Sequence, residues 1–325
     1  GMEVLEDNLS NELSDLNDDY WMWVQDGDFL EAVKEKDISF LDNSWRTEYA
    51  VTDGDFCLVA EAYGIANRRI SLESESEDAI AQNLNFLKQC HEPYVVKGGI
   101  SMAANLREAL KTAALPSADV KRVQVVLDTP PMLVPIEQFE EENINDLYAY
   151  TFAPSQEPRR ILFNVLPDLK AVCIFPINKD LYGVISDRYD DVQFIHALAP
   201  VWRHMHQRSF TGHFNKLYAS FQSHQLCLFA FQQNRFKFCN TFEVKQAYDA
   251  LYFIINVWKQ LRMDALHDEL HLLGNVPDDE QFLQELKQYL QKVYVSNPTT
   301  EFSQAPATKV KGMPYDLMTL LVKGR

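Results

Sequence analysis

Apolar and polar positions along the chain fall into one arrangement that occurs twice. From Thr47 to Ser74, alternating runs broken by turn residues predict three short strands, and Lys216 to Phe242 reads the same way. Asp53-Gly54-Asp55 marks a hairpin turn inside the first set. Each triplet is followed by a pattern of helix, strand, helix and strand. In the first half, Ser74 and Glu77 stand at capping-box spacing, and Ile80, Leu84 and Leu87 predict a helical face. After a break at Gly98-Gly99, Leu106, Leu110 and Ala113 predict a second helix, and Val123 to Leu127 a strand. Apolar runs on either side of Pro167-Asp168 predict an inserted hairpin, about 159–178. A short helix from Lys179, a strand from Val192 and a crossover from Pro200 to Gly212 complete this half.

The second half is more regular. Leu226, Leu228 and Ala230 alternate with Cys227 and Phe229. Asn240 and Glu243 have capping-box spacing ahead of a long apolar stripe, Val244 to Leu261. A buried strand ends at Gly274, Asp278 is placed to cap the next helix, and a last strand runs from Lys292. A polar loop over 298–311 and a terminal helix close the chain. Strands that follow a helical crossover become parallel partners in a mixed sheet. The fold class expected is α/β: duplicated actin-like (ribonuclease-H-like) lobes, with mixed sheets flanked by helices and a cleft between the lobes. The expected boundaries are an acidic extension over 1–44, a first lobe over 45–205 and a second over 206–325. In the extension, Tyr20 to Trp23 and Phe29-Leu30 are read first as rings packing on the protein's own surface, and second as partner anchors.

Composition narrows the function classes. The chain has 325 residues and a formal net charge of −17, which opposes binding to phosphate backbones or anionic lipid. A local basic face around Arg203, His204, His206 and Arg208 would work against that field. No apolar run reaches the roughly 20 residues of a membrane span. The start is acidic, unlike a secretory leader, and the five cysteines are scattered with no C-x-x-C pair, which together predict a cytoplasmic protein.

Leu133 to Phe139 (LVP-x-x-x-F), Asn240 to Phe242 and Leu272 to Gly274 carry a resemblance to the domain of unknown function 3822 family of Bacteroidetes, over roughly Trp45 to Val295. The resemblance implies a bacterial protein of actin-like fold with no assigned activity. Members tend to be encoded beside an enzyme that methylates small-subunit ribosomal RNA, which implies the ribosomal-RNA methylation machinery as partner.

A nucleotide site of the actin-like kind would draw on Asp53, Gly54 and Asp55 for phosphate and Mg²⁺, and on Gly274 for the adenosine. The residues around these positions weigh against ATP and Mg²⁺. Asp55 stands where a small residue is expected, and an Asp-Gly hairpin turn accounts for the loop. The second-lobe turn offers Ser223 and His224 without Gly or Asp, and Asn275 follows Gly274. A two-metal nuclease would use Asp53 and Asp128, but the chain's charge repels such a substrate. His196, His204, His206 and His213 show no zinc spacing. The expectation is therefore a pseudo-ATPase: a non-catalytic scaffold or adaptor for a protein partner, with no cofactor, no direct nucleic acid and no membrane. The alternative is a nucleotide-binding protein or slow ATPase with its site in the cleft.

Overall fold

The computed structural model describes residues 39–40, 44–51, 55–67, 85–95, 97–112, 120–222, 225–303, 305–309 and 313–323; through residue 93 it describes strand backbone alone. The chain forms two compact units. One comprises Gly1–Val126, Asp180–Phe194 and Ala305–Gly312, and the other Leu127–Lys179, Ile195–Gln304 and Met313–Arg325.

The first unit is built on a six-stranded sheet. Strands β1 (Ser39–Phe40) and β4 (Asn85–Val95) both pair with β3 (Asp55–Asn67), on the edge away from β2 (Ser44–Val51). Beyond β2 lie β5 (Val120–Leu127) and β9 (Val192–His196). Helix α1 (Met102–Thr112) buries Ala103, Leu106, Ala109 and Leu110. Its Asn105 is fully buried and satisfied by its surroundings. Asn105 Oδ1 accepts from the Lys97 N–H at 2.8 Å, and its amide donates to the carbonyls of Lys97 at 3.2 Å and Ser101 at 3.0 Å. That closes the Gly98-Gly99 turn, where Gly99 takes φ +84.

The second unit holds two sheets. In the smaller, β8 (Ala171–Asn178) lies between β6 (Met132–Pro135) and β7 (Arg159–Leu166), all antiparallel. Helix α2 (Ile144–Thr151) packs Ile144 and Tyr148 against Val134, Val172 and Ile174. Helix α3 (Lys179–Arg188), which follows β8, belongs to the first unit from Asp180 onward, whereas α4 (Leu198–Arg208), which follows β9, belongs to the second.

The larger sheet has the order β12 (Arg235–Glu243), β11 (Gln225–Gln232), β10 (Lys216–Gln222), β13 (Glu269–Gly274), β14 (Lys292–Val295). β10–β11 and β11–β12 are antiparallel, whereas β10–β13 and β13–β14 are parallel. The five strands β4-β3-β2-β5-β9 of the first unit stand in the same sequence-to-space order. Leu217, Ala219, Phe221, Leu226, Leu228 and Ala230 all project to one face. There α5 (Ala247–Gln260) adds Leu251, Ile254, Val257 and Trp258, and α6 (Glu280–Tyr289) adds Phe282 and Leu286. On the opposite face Tyr218 stacks on Phe229, and Trp202 of α4 meets Phe236 edge-on. A short helix α7 (Pro298–Glu301) and the terminal α8 (Tyr315–Lys323) complete the unit.

Three expectations are corrected. The helical face predicted through Leu87 gives way to β4, because the thirteen-residue β3 takes a partner paired from Asn85 to Val95; residues 68–84 lie outside the described set. Asn240 does not cap a helix: β12 stays paired with β11 to Glu243, and α5 starts at Ala247, where Asp249 accepts from the N–H groups of Lys245 and Gln246 at 3.0 Å each. The next cap is Asp279, one residue beyond Asp278; its carboxylate accepts from Gln281 N–H at 2.9 Å. The segment read as a crossover, Pro200 to Gly212, is largely α4, with Pro200 in its first turn.

Candidate functional site

The expected nucleotide residues are distributed unequally over what is described. Asp53, Gly54, Ser223 and His224 lie outside the described residues. Asp55 opens β3 with its backbone opposite Val95, and β2 and β3 pair antiparallel up to Val51 and Phe56. Gly274 lies in the second unit at the C-terminal end of β13, where a parallel sheet presents its strand ends to ligands.

At Gly274 the backbone takes φ +76, and a Cβ would fall inside contact distance of the Phe221 carbonyl oxygen. The Asn275 N–H donates to that oxygen at 3.0 Å, and the Val276 N–H to Gly274 O at 2.9 Å. The glycine therefore lets one backbone close on another, and the two N–H groups that follow it are already engaged.

One residue beyond Phe221, Gln222 faces Asp128. With its carboxamide nitrogen toward the carboxylate, Gln222 donates to both Asp128 oxygens at 2.9 Å. Asp128, the strand-end carboxylate expected for metal work, is thereby bound by a neutral amide. The loop after Asp128 is fixed too: Thr129 Oγ1 donates to Pro176 O at 2.8 Å, and Tyr148 OH to Pro130 O at 2.9 Å. Burial pushes the Tyr148 hydroxyl up to about 12, against the pull of Arg159, whose guanidinium lies 4.7 Å from the ring centroid.

His196 is fully buried beside this loop. Its Nδ1 accepts from the Leu198 N–H at 3.1 Å and its Nε2–H donates to Thr129 O at 2.7 Å. The two bonds fix the tautomer, and burial lowers the imidazole to about 4. A ring with both nitrogens committed holds structure here. It carries the β9–α4 corner, and it stacks on Trp202 with centroids 5.8 Å apart.

The other histidines do not form one basic face. His204 and His206 are buried along α4, while Arg203 and Arg208 are exposed; Arg203 bonds Asp168 at 3.0 Å. Among the described residues no group of three or more His, Cys, Asp or Glu is arranged to hold a metal ion. The Gln222–Asp128 pair was missed in the sequence because the two residues lie far apart and Gln222 reads as part of a turn. Its only signal is an amide where the second-lobe turn would carry a carboxylate.

Comparison with known proteins places this geometry. A Bacteroides thetaiotaomicron protein of actin-like ATPase fold and unknown function is 25% identical, with a TM-score of 0.64 over 78% of this chain and 91% of its own. The type IV pilus PilM–PilN complex (11% identity, TM-score 0.45, 86% and 96% coverage) and the ethanolamine utilization protein EutJ of Carboxydothermus hydrogenoformans (8%, 0.40, 92% and 98%) are more distant. No curated protein is significantly similar to the chain. The fold is thus the mixed α/β architecture of the actin-like ATPases. The family described as Protein of unknown function (DUF3822) matches residues 79–293, and the chain belongs to that family.

Proposed function

We propose that this chain is a non-catalytic scaffold or adaptor that uses the actin-like fold to hold protein partners. The observation that carries the proposal is the state of the strand ends in the second unit. Phe221 O and the N–H groups of Asn275 and Val276 are engaged within the chain, and the Asp128 carboxylate is occupied by Gln222. Groups that would meet a triphosphate and its Mg²⁺ are spent on the protein itself. Tyr248 and Tyr252, one turn apart on α5, are 69% and 60% exposed, which suits a protein-binding surface. Within this reading the partner is a protein, the ribosomal-RNA methylation machinery being the first to try, and the compartment is the cytoplasm. No described helix is long and apolar enough to cross a membrane.

A nucleotide-binding protein or slow ATPase using Asp53, Gly54, Asp55 and Gly274 is the second reading. The positive φ of Gly274 at a strand end of this fold favours it. Melting temperature with and without millimolar MgATP separates the two. A ligand at about 100 times its dissociation constant stabilises the native state by roughly 2.7 kcal/mol. No shift, with a protein partner co-purifying on the full chain, supports the adaptor. A shift abolished by Asp53→Ala replaces it with the nucleotide reading.

A further inference from the structure

The far end of β10, at Lys216, opens on a pocket of about 210 Å³. The last turn of α4, the connection over 209–215, the start of β10 and the β11–β12 turn enclose it. Three polar groups meet there. His206 is 6% exposed and Tyr218 2%; Tyr218 OH has no hydrogen-bond partner, and His206 Nε2 has none in good geometry, the Asn234 side chain being the ring's polar neighbour. The Lys216 side chain is 7% exposed; its ammonium donates to the carbonyls of Ser209, at 3.3 Å, and Thr211, and stands 3.9 Å from Glu269 Oε2. The walls are aromatic. Phe210 and Phe231 stand edge-on to the His206 ring at 5.0 and 5.2 Å, and Phe214 lies under Lys292 Nζ at 4.2 Å from its centroid.

A buried hydroxyl or ring nitrogen left without a partner costs about 1–3 kcal/mol. Two such groups in one pocket, beside an ammonium, call for a shared acceptor. Burial holds His206 below its ordinary range, so at neutral pH its ring is uncharged and offers one N–H. A phenol O–H and an imidazole N–H are two free donors; the Lys216 ammonium already serves two carbonyls and faces Glu269, and together with Arg208, whose charge also acts on Tyr218, it leaves one positive charge in excess of that carboxylate. A carboxylate accepts at two oxygens and carries one negative charge, which matches that set. Flat aromatic walls suit a flat body. The volume equals that of about seven liquid waters, enough for a single ring bearing one small group.

We propose that this pocket binds a small aromatic carboxylate, its charged end against Lys216, His206 and Tyr218 and its ring against Phe210, Phe214 and Phe231. The proposal is independent of the adaptor reading, since the pocket lies at the opposite end of β10 from Gly274 and Gln222.

The test is titration of the full chain with benzoate by calorimetry and by ligand-observed NMR, with phenol and acetate as probes lacking one half of the ligand. Saturable one-to-one uptake of benzoate is expected, with phenol and acetate at least about tenfold weaker. Lys216→Met is expected to weaken benzoate about tenfold. Phe210→Ala changes an exposed side chain and keeps the fold, and is expected to weaken benzoate about threefold. Tyr218→Phe is expected to weaken benzoate while raising the melting temperature of the free protein. No uptake by the wild-type chain at about 10 mM benzoate overturns the proposal and leaves ordered water as the partner of the buried groups. Equal uptake by wild type and both Lys216→Met and Phe210→Ala overturns it as well.

Discussion

His204 Nε2 of α4 stands 2.7 Å from Glu301 Oε1, the last residue of α7, and both side chains are almost fully buried. The same oxygen accepts from Tyr315 OH, at the head of α8, at 2.6 Å, and Glu301 Oε2 accepts from Ser296 Oγ just after β14. One carboxylate therefore ties four elements of the second unit together. Burial pushes Glu301 up, but the bonds from His204, Ser296 and Tyr315 outweigh it and hold the carboxyl below its usual range.

Breaking this contact from either side strands a buried polar group. Glu301→Ala and His204→Ala are each expected to cost about 3–5 kcal/mol, read from denaturant midpoints. The double variant should cost less than the sum of the two, with a coupling of about 1–3 kcal/mol. Strict additivity would show that the pair contributes nothing as a pair.

Two glycines predict opposite outcomes. Gly274→Ala is expected to destabilise by about 1–3 kcal/mol, because φ is +76 and the new Cβ meets the Phe221 carbonyl. Gly183 sits inside α3, and no atom lies within 4 Å of the point a methyl group would occupy there. Gly183→Ala is therefore expected to stabilise by about 0.5–1 kcal/mol. Urea unfolding of both variants checks the contrast.

Acid sensitivity follows from buried imidazoles. Burial depresses His196 and His271 to about 4, and Lys216 and Arg208 add to the effect at His271. Their folded values lie below the unfolded one. Their contribution is therefore complete above about 6.5 and is lost as pH falls toward about 4, by up to about 1.4 kcal/mol per pH unit for each. Asp316, half-buried at the head of α8 and raised to about 6 by desolvation, has the opposite sign: its contribution is present below its unfolded value and lost as pH rises through about 6. The histidines outnumber Asp316, and His206 and Glu301, also held low, act in the same direction as His196 and His271, so stability falls as pH drops below about 6. Guanidinium midpoints between pH 4 and 8 measure it, and His196→Gln should flatten the curve.

The β11–β12 turn offers a stabilising change. Gln233 and Asn234 both have positive φ, 52° and 62°, as a two-residue reverse turn between these strands requires. Gln233→Asn with Asn234→Gly relieves both positions and is expected to raise stability by about 0.5–1 kcal/mol in thermal unfolding.

The second unit was legible where one local signal decided the outcome. The stripe from Ala247 to Trp258 can only be a helix against an apolar sheet, and Leu226, Leu228 and Ala230 can only face it. The failures came where two signals competed. Leu84 and Leu87 have helical spacing, but the length of β3 decided the state of Leu87. Asn240 and Glu243 have cap spacing, but pairing with β11 held them in a strand. At Gly274 the sequence shows a glycine and not its reason, since the obstructing atom belongs to Phe221, on another strand. The aromatic pocket was hidden likewise: His206, Lys216 and Phe231 sit on three elements and converge only after α4 turns back into β10.

β10 lies at the middle of its sheet, next to β11 on one side and β13 on the other, and β13 follows only after β11, β12 and α5 have been made. In order of synthesis β11 follows β10 at once, whereas the partner of its other flank, beside Leu217, Ala219 and Phe221, emerges only with β13. That waiting edge makes β10 the segment from which nascent chains of this protein would aggregate, and the place where a chaperone would do the most good.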